Sequence, residues 1–424
     1  MASIRANAPI VESRARPTAI SKRIPLFEPV AHPKGSWHKL RVIEDPAATL
    51  KIALAAAARG LVERESLVEL VALAAVAGEH LLVVGPPGTA KSEAVRRVAR
   101  VLGGTYFEYL LGRFTEPSEI FGPVDLKKLR DGVVETETTG MLPRAEIAFL
   151  DEVFLGSTAI LNTLLGVLNE RTFRRGHTHV PVPLRVCVGA TNTLPQDEAL
   201  AAFADRFLVR AFVEPIADPR LEDLLEGGWA LEQVDLPPIG MAHLDRLGAT
   251  ARAMDVSLVR PALAEAIRTL RANGVMLSDR RMVKAQRLVA AAAAMAGRAA
   301  PTEADLWPLI YAVPTEDAQE VARDALRPLL TKAESATLPA AAEEAALGPA
   351  ARARRLVGEA ERLLGAPPEG DDERRRWRLR LEGVAREIDA GFLRQDLPQD
   401  LLEVRTKLVE LLGGDDAATR GAAS

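Results

Sequence analysis

The segment from His80 to Val98, HLLVVGPPGTAKSEAVRRV, constrains the fold of this chain more than any other. Its apolar start, Leu81 to Val84, predicts a buried strand, and the residues from Glu93 onward predict a helix. Between them lies GPPGTAKS, a loop rich in glycine and proline that ends in Lys-Ser. This order is typical of a P-loop, in which backbone amides and the positive end of the helix hold a polyphosphate.

The loop predicts a role for each of its residues. The expected phosphate cradle comprises Gly85, Pro86, Pro87, Gly88, Thr89, Ala90, Lys91 and Ser92. The Lys91 ammonium would reach the β- and γ-phosphates, and the Ser92 hydroxyl would bind Mg²⁺. The usual pattern has glycine in place of Ala90, and a methyl group is strongly disfavoured there if φ is positive. The alternative interpretation is an ordinary Gly-Pro turn between a strand and a helix.

Composition limits the class of protein. A chain of 424 residues is long enough for about two or three domains with sizeable cores. The formal net charge of −4 gives no overall basic excess that would favour nucleic acid. A single cysteine, Cys187, excludes an intramolecular disulfide framework and favours a reducing compartment. Without a signal-peptide pattern or an apolar run near the ~20 residues of a membrane span, we expect a cytoplasmic α/β protein.

Two carboxylates follow a second apolar strand. Asp151 and Glu152 come directly after EIAFL, residues 146–150. At the carboxyl end of a strand in the same sheet, Asp151 is expected to help hold Mg²⁺ and Glu152 to polarise the attacking water as general base. The alternative is a strand that ends in a solvated acidic turn, and the P-loop upstream favours the nucleotide interpretation.

Three further residues are candidates for completing the site. Asn192 follows the apolar strand 184–190, where it would bond the γ-phosphate or the lytic water, or simply form a turn. Arg206 would reach a neighbouring subunit's γ-phosphate as an arginine finger, or belong to a surface ion pair of little energetic value. Arg280, with Arg281 as the alternative, would bend back onto the bound nucleotide from the start of a long helix, or lie solvated in its first turn.

Two hairpins are predicted to project from this core. Asp131-Gly132 is a turn signal between segments 124–129 and 133–138. A second hairpin is expected after Arg171, and it clusters Arg171 with Arg174 and Arg175. These arginines would either be solvated or contact a substrate or a neighbouring subunit.

The patterns divide the chain into five parts. We predict an extended arm at 1–46, an α/β core at 47–215 and an all-α lid at 216–335, because the strand patterns stop near residue 215. Three amphipathic segments predict a C-terminal helical appendage at 336–412, in which Trp377, Leu381, Val384 and Ile388 share a face. Residues 413–424 are expected to form a disordered tail.

The ordered motifs resemble the MoxR family of AAA+ ATPases, most closely its RavA-like branch, over roughly residues 50–300. They are GPPGTAKS, AFLDEVF, ILNTLLGVLNERTFRRG, GATNTLP, ADRF and SDRR, at residues 85–92, 148–154, 160–176, 189–195, 204–207 and 278–281. The resemblance implies an α/β P-loop AAA+ core, with a parallel five-stranded sheet and helices on both faces, plus an all-α lid. Alanine before the P-loop lysine is common in that branch.

The resemblance also implies roles and partners. Asn192 matches the sensor 1 position, Arg206 the arginine finger and Arg280, or Arg281, the sensor 2 residue. The implied protein is a ring, typically hexameric, that hydrolyses ATP with Mg²⁺ at its subunit interfaces. It would couple this to chaperone-like remodelling or maturation of a partner complex with a von Willebrand factor A domain protein. The alternatives are a nucleic-acid motor and a non-hydrolysing ATP-gated scaffold. The intact Glu152 and Arg206 disfavour the scaffold.

Overall fold

The structure, a computed structural model, describes residues 45–216, 220–230, 238–347, 349–368, 370–391 and 399–421. The predicted N-terminal arm therefore lies almost entirely outside the described residues. The helices are α1 (Pro46–Ala58), α2 (Glu65–Ala77), α3 (Lys91–Leu102), α4 (Pro117–Phe121), α5 (Leu126–Arg130), α6 (Thr158–Glu170), α7 (Glu198–Ala204), α8 (Leu221–Ala230), α9 (Met241–Ala253), α10 (Arg260–Ala272), α11 (Asp279–Met295), α12 (Glu316–Ala325), α13 (Arg327–Leu330), α14 (Pro339–Leu347), α15 (Pro349–Gly365), α16 (Asp371–Gly391) and α17 (Gln399–Gly421).

Five parallel strands form the central sheet, in the order β2-β3-β6-β1-β7. They are β1 (Leu81–Val84), β2 (Tyr106–Leu110), β3 (Ile147–Asp151), β6 (Val186–Thr191) and β7 (Val209–Phe212). All residues of β1 and β6 are buried, which explains why their sequences are continuous apolar runs. The predicted parallel five-stranded sheet is confirmed, and the P-loop strand β1 lies between β6 and β7.

Alternate residues of β1 face two separate hydrophobic cores, one on each side of the sheet. Leu81 and Val83 pack in the larger core with residues of α1, α2, α3, α9 and α11. Leu82 and Val84 pack in the smaller core with residues of α6 and with Phe207. Helices therefore cover both faces of the sheet, as predicted.

The hairpin predicted at Asp131-Gly132 is only partly present. Leu126–Arg130 forms the short helix α5, because the Asp125 side chain accepts hydrogen bonds from the first amides of this helix. A single antiparallel bridge, between Val124 and Thr136, is what remains of the expected strand pairing. The Asp-Gly pair thus ends a helix here.

The hairpin predicted after Arg171 is confirmed. Its strands are β4 (Thr172–Arg175) and β5 (Thr178–Pro181), which pair antiparallel. The ring of Phe173 stacks on Phe121 with 5.4 Å between ring centroids, so the hairpin packs against the end of α4.

The helices after the sheet join two different cores. α9 and α11 pack on α2, and α14 adds Ala341, Ala342 and Ala345 to the same larger core. α15, α16 and α17 form a core of their own, in which the predicted apolar face of α16 buries Leu381, Val384 and Ile388. α17 continues to Gly421, beyond the expected helix end at residue 412. The boundaries predicted for the lid and the appendage stay predictions.

Within the described ranges, no helix has both the length and the hydropathy that crossing a membrane requires.

Candidate nucleotide site

The loop GPPGTAKS connects the carboxyl end of β1 to the first residue of α3. The Gly85 amide donates to the Thr191 carbonyl at 3.1 Å, which ties the loop to β6. A Cβ atom on Gly85 would lie 2.1 Å from the Val213 carbonyl oxygen, so only glycine fits. Gly88 has φ +79° with nothing near its missing side chain, so glycine is needed there for backbone conformation alone.

Ala90 adopts the left-handed conformation, with φ +59° and ψ 23°. This is the case in which a methyl group is disfavoured, at a cost of about 1–2 kcal/mol. The Ala90 side chain packs against the larger core, which offsets part of that cost. The P-loop thus accommodates alanine at this position, and some backbone strain remains at Ala90.

Lys91 is buried at the end of the P-loop. Its Nζ donates to the carbonyl oxygens of Gly85 at 2.8 Å and Pro86 at 2.7 Å. Burial lowers the pKa of Lys91, and the negative charges of Asp151 and Glu152 oppose this effect. A buried ammonium that bonds neutral carbonyl oxygens fits a polyphosphate, whose negative charge would stabilise it further.

The structure brings Asp151, Glu152 and Asn192 together at the carboxyl edge of the sheet. Asp151 ends β3 and Asn192 follows β6, and these strands are neighbours. Glu152 has φ +50°, the left-handed region, and its amide donates to Asp151 Oδ1 at 3.0 Å. Asn192 Nδ2 donates to Glu152 Oε1 at 2.7 Å, so the amide side chain holds the candidate general base.

Ser92 and Asp151 are the side chains that would hold a metal ion. Among the described residues there is no group of three or more His, Cys, Asp or Glu that could bind a metal. Mg²⁺ usually takes one or two carboxylates and completes its shell with water and phosphate oxygens. A hydroxyl in the first turn of α3 and a carboxylate at the end of β3 fit this donor set.

Arg206 lies at the opposite edge of the sheet from the P-loop. The amide of Val209, the first residue of β7, donates to the His80 carbonyl at 3.0 Å. His80 precedes β1, so Arg206 lies beside the amino ends of these strands. The four residues of β1 span roughly 13 Å at about 3.3 Å per residue, which places Arg206 beyond the reach of its own P-loop.

Arg280, predicted to bend back onto the bound nucleotide, lies near Arg206, and its role at the nucleotide stays a prediction. Arg280 Nη2 donates to Asn169 Oδ1, at the C-terminal end of α6 and again at the amino edge of the sheet. Burial lowers the pKa of Arg280, and the nearby charge of Arg206 lowers it further. Arg206 Nε has no hydrogen-bond partner among the described residues. Two adjacent cations therefore share this edge.

Arg281, the alternative to Arg280, is buried. Its guanidinium donates to Asp205 and to the carbonyl oxygens of Phe207, Leu208 and Ala312. These four bonds hold the guanidinium in the interior of its own subunit. Of the two arginines, Arg280 is the one placed to contact an external group.

Arg64 supports the P-loop and was not identified from the sequence. This buried side chain donates from Nε to the Thr89 carbonyl at 2.9 Å and from Nη2 to the Glu214 carbonyl at 2.6 Å. It thereby connects the loop to the chain just after β7. A single arginine before an apolar helix carries no pattern that would have predicted this contact.

The arginines of the β4–β5 hairpin do not form one surface. Arg171 is held against the sheet, where Nη2 donates to the Gly78 carbonyl at 2.7 Å, and burial lowers its pKa. Arg175 donates to the Gly122 carbonyl at 3.2 Å. Only Arg174 of the three is exposed. This arrangement removes the cluster that favoured a nucleic-acid motor.

Two family models match this chain. Residues 48–248 match a family model described as the MoxR domain in the MoxR-vWA-beta-propeller ternary systems. Residues 256–323 match the model of an AAA lid domain. The matches cover the P-loop, both carboxylates, Asn192 and Arg206 in the first region and Arg280 in the second.

Related sequences cover part of the chain. An uncharacterized protein of Methanocaldococcus jannaschii is 37% identical over 248 residues, which are 58% of this chain and 65% of that protein. Chaperone MoxR1 of Mycobacterium tuberculosis is 30% identical over 166 residues, 38% of this chain and 43% of the chaperone. The match thus spans less than two thirds of either relative's length.

A solved structure shares the fold. A crystal structure of an ATPase candidate from Cytophaga hutchinsonii aligns with a TM-score of 0.54 and 16% identity, over 68% of this chain and 96% of that one. At this identity the likeness shows the fold alone. Together with the AAA lid match, it confirms the predicted fold class, an AAA+ core followed by helical domains.

Proposed function

We propose that this chain is a MoxR-family AAA+ ATPase and that it hydrolyses ATP to ADP and phosphate between the subunits of a ring, which the matches above support. The observation that carries the proposal is the separation of the candidate residues into two groups. Lys91, Asp151, Glu152 and Asn192 lie at the carboxyl edge of the sheet, and Arg206 with Arg280 lies at the amino edge. Neither group is a complete hydrolytic site.

The carboxyl edge would bind and activate the reactants. The P-loop amides and Lys91 would hold the β- and γ-phosphates of ATP. Ser92 and Asp151 would hold Mg²⁺, which when bound neutralises phosphate charge. Glu152 would accept a proton from the attacking water, and Asn192 would keep its carboxylate oriented through the 2.7 Å hydrogen bond.

The amino edge would serve the next subunit. Phosphoryl transfer spreads negative charge over the equatorial oxygens, and an arginine supplied in trans typically raises the rate about 10³- to 10⁵-fold. Arg206 and Arg280 repel each other, and Arg206 Nε has no hydrogen-bond partner within the described ranges, so an anion from a neighbouring subunit would stabilise this pair of cations. A ring, of six subunits as the family resemblance implies, would bring this edge to a neighbour's P-loop.

Arg206→Ala tests the proposal. We expect the variant to bind ATP and to assemble as the wild type does, because its own P-loop is intact, and to lose most of its turnover. The matched control is Arg174→Ala, which removes an exposed arginine from the hairpin and should leave turnover unchanged. Normal hydrolysis by Arg206→Ala would refute the arginine-finger assignment, and no turnover by the assembled wild type would favour a scaffold.

We further propose that hydrolysis remodels or matures a partner complex in the cytoplasm. The family description names von Willebrand factor A and β-propeller proteins, so we propose one of each as partners. Glu152→Gln should hold the ATP state and retain the partners, which mass spectrometry of the purified complex would identify. Recovery of nucleic acid, with ATPase stimulation that falls steeply with salt, would support a nucleic-acid motor and contradict the proposal.

A further inference from the structure

Asp205 and Arg281 connect the two elements that carry Arg206 and Arg280. Asp205 directly precedes Arg206 after α7, and Arg281 directly follows Arg280 in the first turn of α11. Arg281 Nε donates to Asp205 Oδ1 at 2.6 Å, with the Arg281 side chain buried. Arg206 and Arg280, both half-buried, therefore each have one member of this ion pair as a chain neighbour.

The Arg281 guanidinium is held in a single orientation. It also donates to the carbonyl oxygens of Phe207 at 2.9 Å, Leu208 at 2.9 Å and Ala312 at 2.8 Å. A planar guanidinium that uses its donors on several fixed acceptors has little freedom left. Phe207 and Leu208 lie in the segment that enters β7, so α11 is attached to the residues immediately after Arg206.

Asp205 receives a second contact from the start of α11. The Ser278 hydroxyl donates to Asp205 Oδ2 at 3.3 Å and accepts from the Arg281 amide at 3.3 Å. Ser278 is the N-cap of α11, so the carboxylate binds both the cap and the first turn of this helix.

Asp205 also opposes the positive charge of two buried guanidiniums. Burial lowers the pKa of Arg281 and of Arg210, and the charge of Asp205 acts against this in both. Without Asp205, the positive charges of Arg281, Arg210 and Arg280 would be less compensated. Their mutual repulsion would then push the start of α11 away from β7.

We infer that Asp205 and Arg281 are positioning residues that hold Arg206 and Arg280 together as one surface for a neighbour's phosphate. This inference rests on the proposed function. Arg206 and Arg280 carry like charges on separate elements and repel each other, so an attachment between the elements is needed to keep both beside one anion. Hydrolysis in one subunit then depends on the contacts that hold the first turn of α11 beside β7 in the neighbouring subunit.

Asp205→Asn and Arg281→Lys test the inference. Asp205→Asn removes the charge at nearly constant volume, and Arg281→Lys keeps a charge but loses the planar fork. We expect ATP binding to stay within about 2-fold of wild type and turnover to fall by about 10²-fold, the loss typical of a displacement near 1 Å. Asp324→Asn, which removes an exposed carboxylate paired with Arg327, is the control and should retain full turnover.

Mixed rings separate positioning from general damage. A Glu152→Gln subunit cannot activate water but retains an intact amino edge, and an Asp205→Asn subunit has the opposite defect. In a 1:1 mixture about a quarter of the interfaces combine the two intact edges, so about a quarter of wild-type turnover should return. A merely misfolded Asp205→Asn subunit would restore none.

The outcomes distinguish this inference from the proposed function. Wild-type turnover by Asp205→Asn, or a loss that mixing does not restore, would overturn the inference. If Arg206→Ala is inactive and is restored by mixing while Asp205→Asn is fully active, only the inference fails. If Arg206→Ala is itself active, the proposed function fails with it. Should Asp205→Asn not fold, the same mixing experiment with Arg281→Lys decides.

Discussion

Glu69 provides a test of the packing between α2 and α14. Its side chain is 8% exposed within the larger core, and its carboxylate accepts from the Ala341 amide at 2.7 Å. Burial raises the pKa of Glu69 to about 8, against which this hydrogen bond acts only in part. We predict that Glu69→Gln, which keeps the shape and an acceptor oxygen, removes a pH dependence from the stability of the protein.

The magnitude follows from the two pKa values. The carboxyl group titrates near 4.5 when unperturbed and near 8 in the folded state. Between these values the folded chain keeps a proton that the unfolded chain releases, so the free energy of unfolding falls as pH rises, by about 1.4 kcal/mol per unit. From pH 5.5 to 7.5, wild type should therefore lose about 2.5 kcal/mol relative to Glu69→Gln, because the folded group begins to titrate near the upper limit.

Urea unfolding followed by circular dichroism, at several pH values, measures this difference. Glu65→Gln is the matched control, because Glu65 lies one helical turn earlier and is exposed. The stability of that variant should follow wild type at every pH. Parallel curves for wild type and Glu69→Gln across this pH range would refute the reasoning.

Three other changes have defined outcomes. Asn192→Ala frees Glu152 from its hydrogen bond, so turnover should fall by roughly 10²-fold with unchanged ATP binding; an unchanged rate would contradict the orienting role. Gly88→Ala adds a methyl group at φ +79° where no atom lies within 4 Å, so an ATP titration should show a loss of about 1–2 kcal/mol from backbone strain alone. Arg210→Met removes a side chain that is 2% exposed and has two nitrogens without partners in the described part of the chain. Its urea stability should match or exceed wild type by about 1–3 kcal/mol, and a decrease would count against an uncompensated cation.

The sheet and the carboxyl edge of the site were predictable from the sequence for a local reason. Each central strand is a short apolar run bounded by polar or glycine residues, and parallel strands place their carboxyl ends at one edge. Glu152 and Asn192 each follow such a run. The two side chains could therefore be predicted to lie close together as soon as β3 and β6 were taken as neighbouring strands.

The position of Arg280 could not be predicted in the same way, because it depends on how α11 packs. Glu79 is buried after α2 and binds Arg287 at 2.8 Å and also Lys284, which holds α11 beside the amino ends of the strands. These residues are more than 200 positions apart in sequence. The helical pattern of α11 is compatible with either edge of the sheet.

The separation of Arg206 from Lys91 by the length of a strand also makes protein concentration a control on activity. Under the proposed function, an isolated protomer carries the two halves of a site and no complete one. Dilution would therefore lower the specific activity. The specific activity would rise with protein concentration until assembly is complete. A cell could thereby set the rate of hydrolysis through the concentration of free protomers. Neither the ATP concentration nor the residues that contact ATP would need to change.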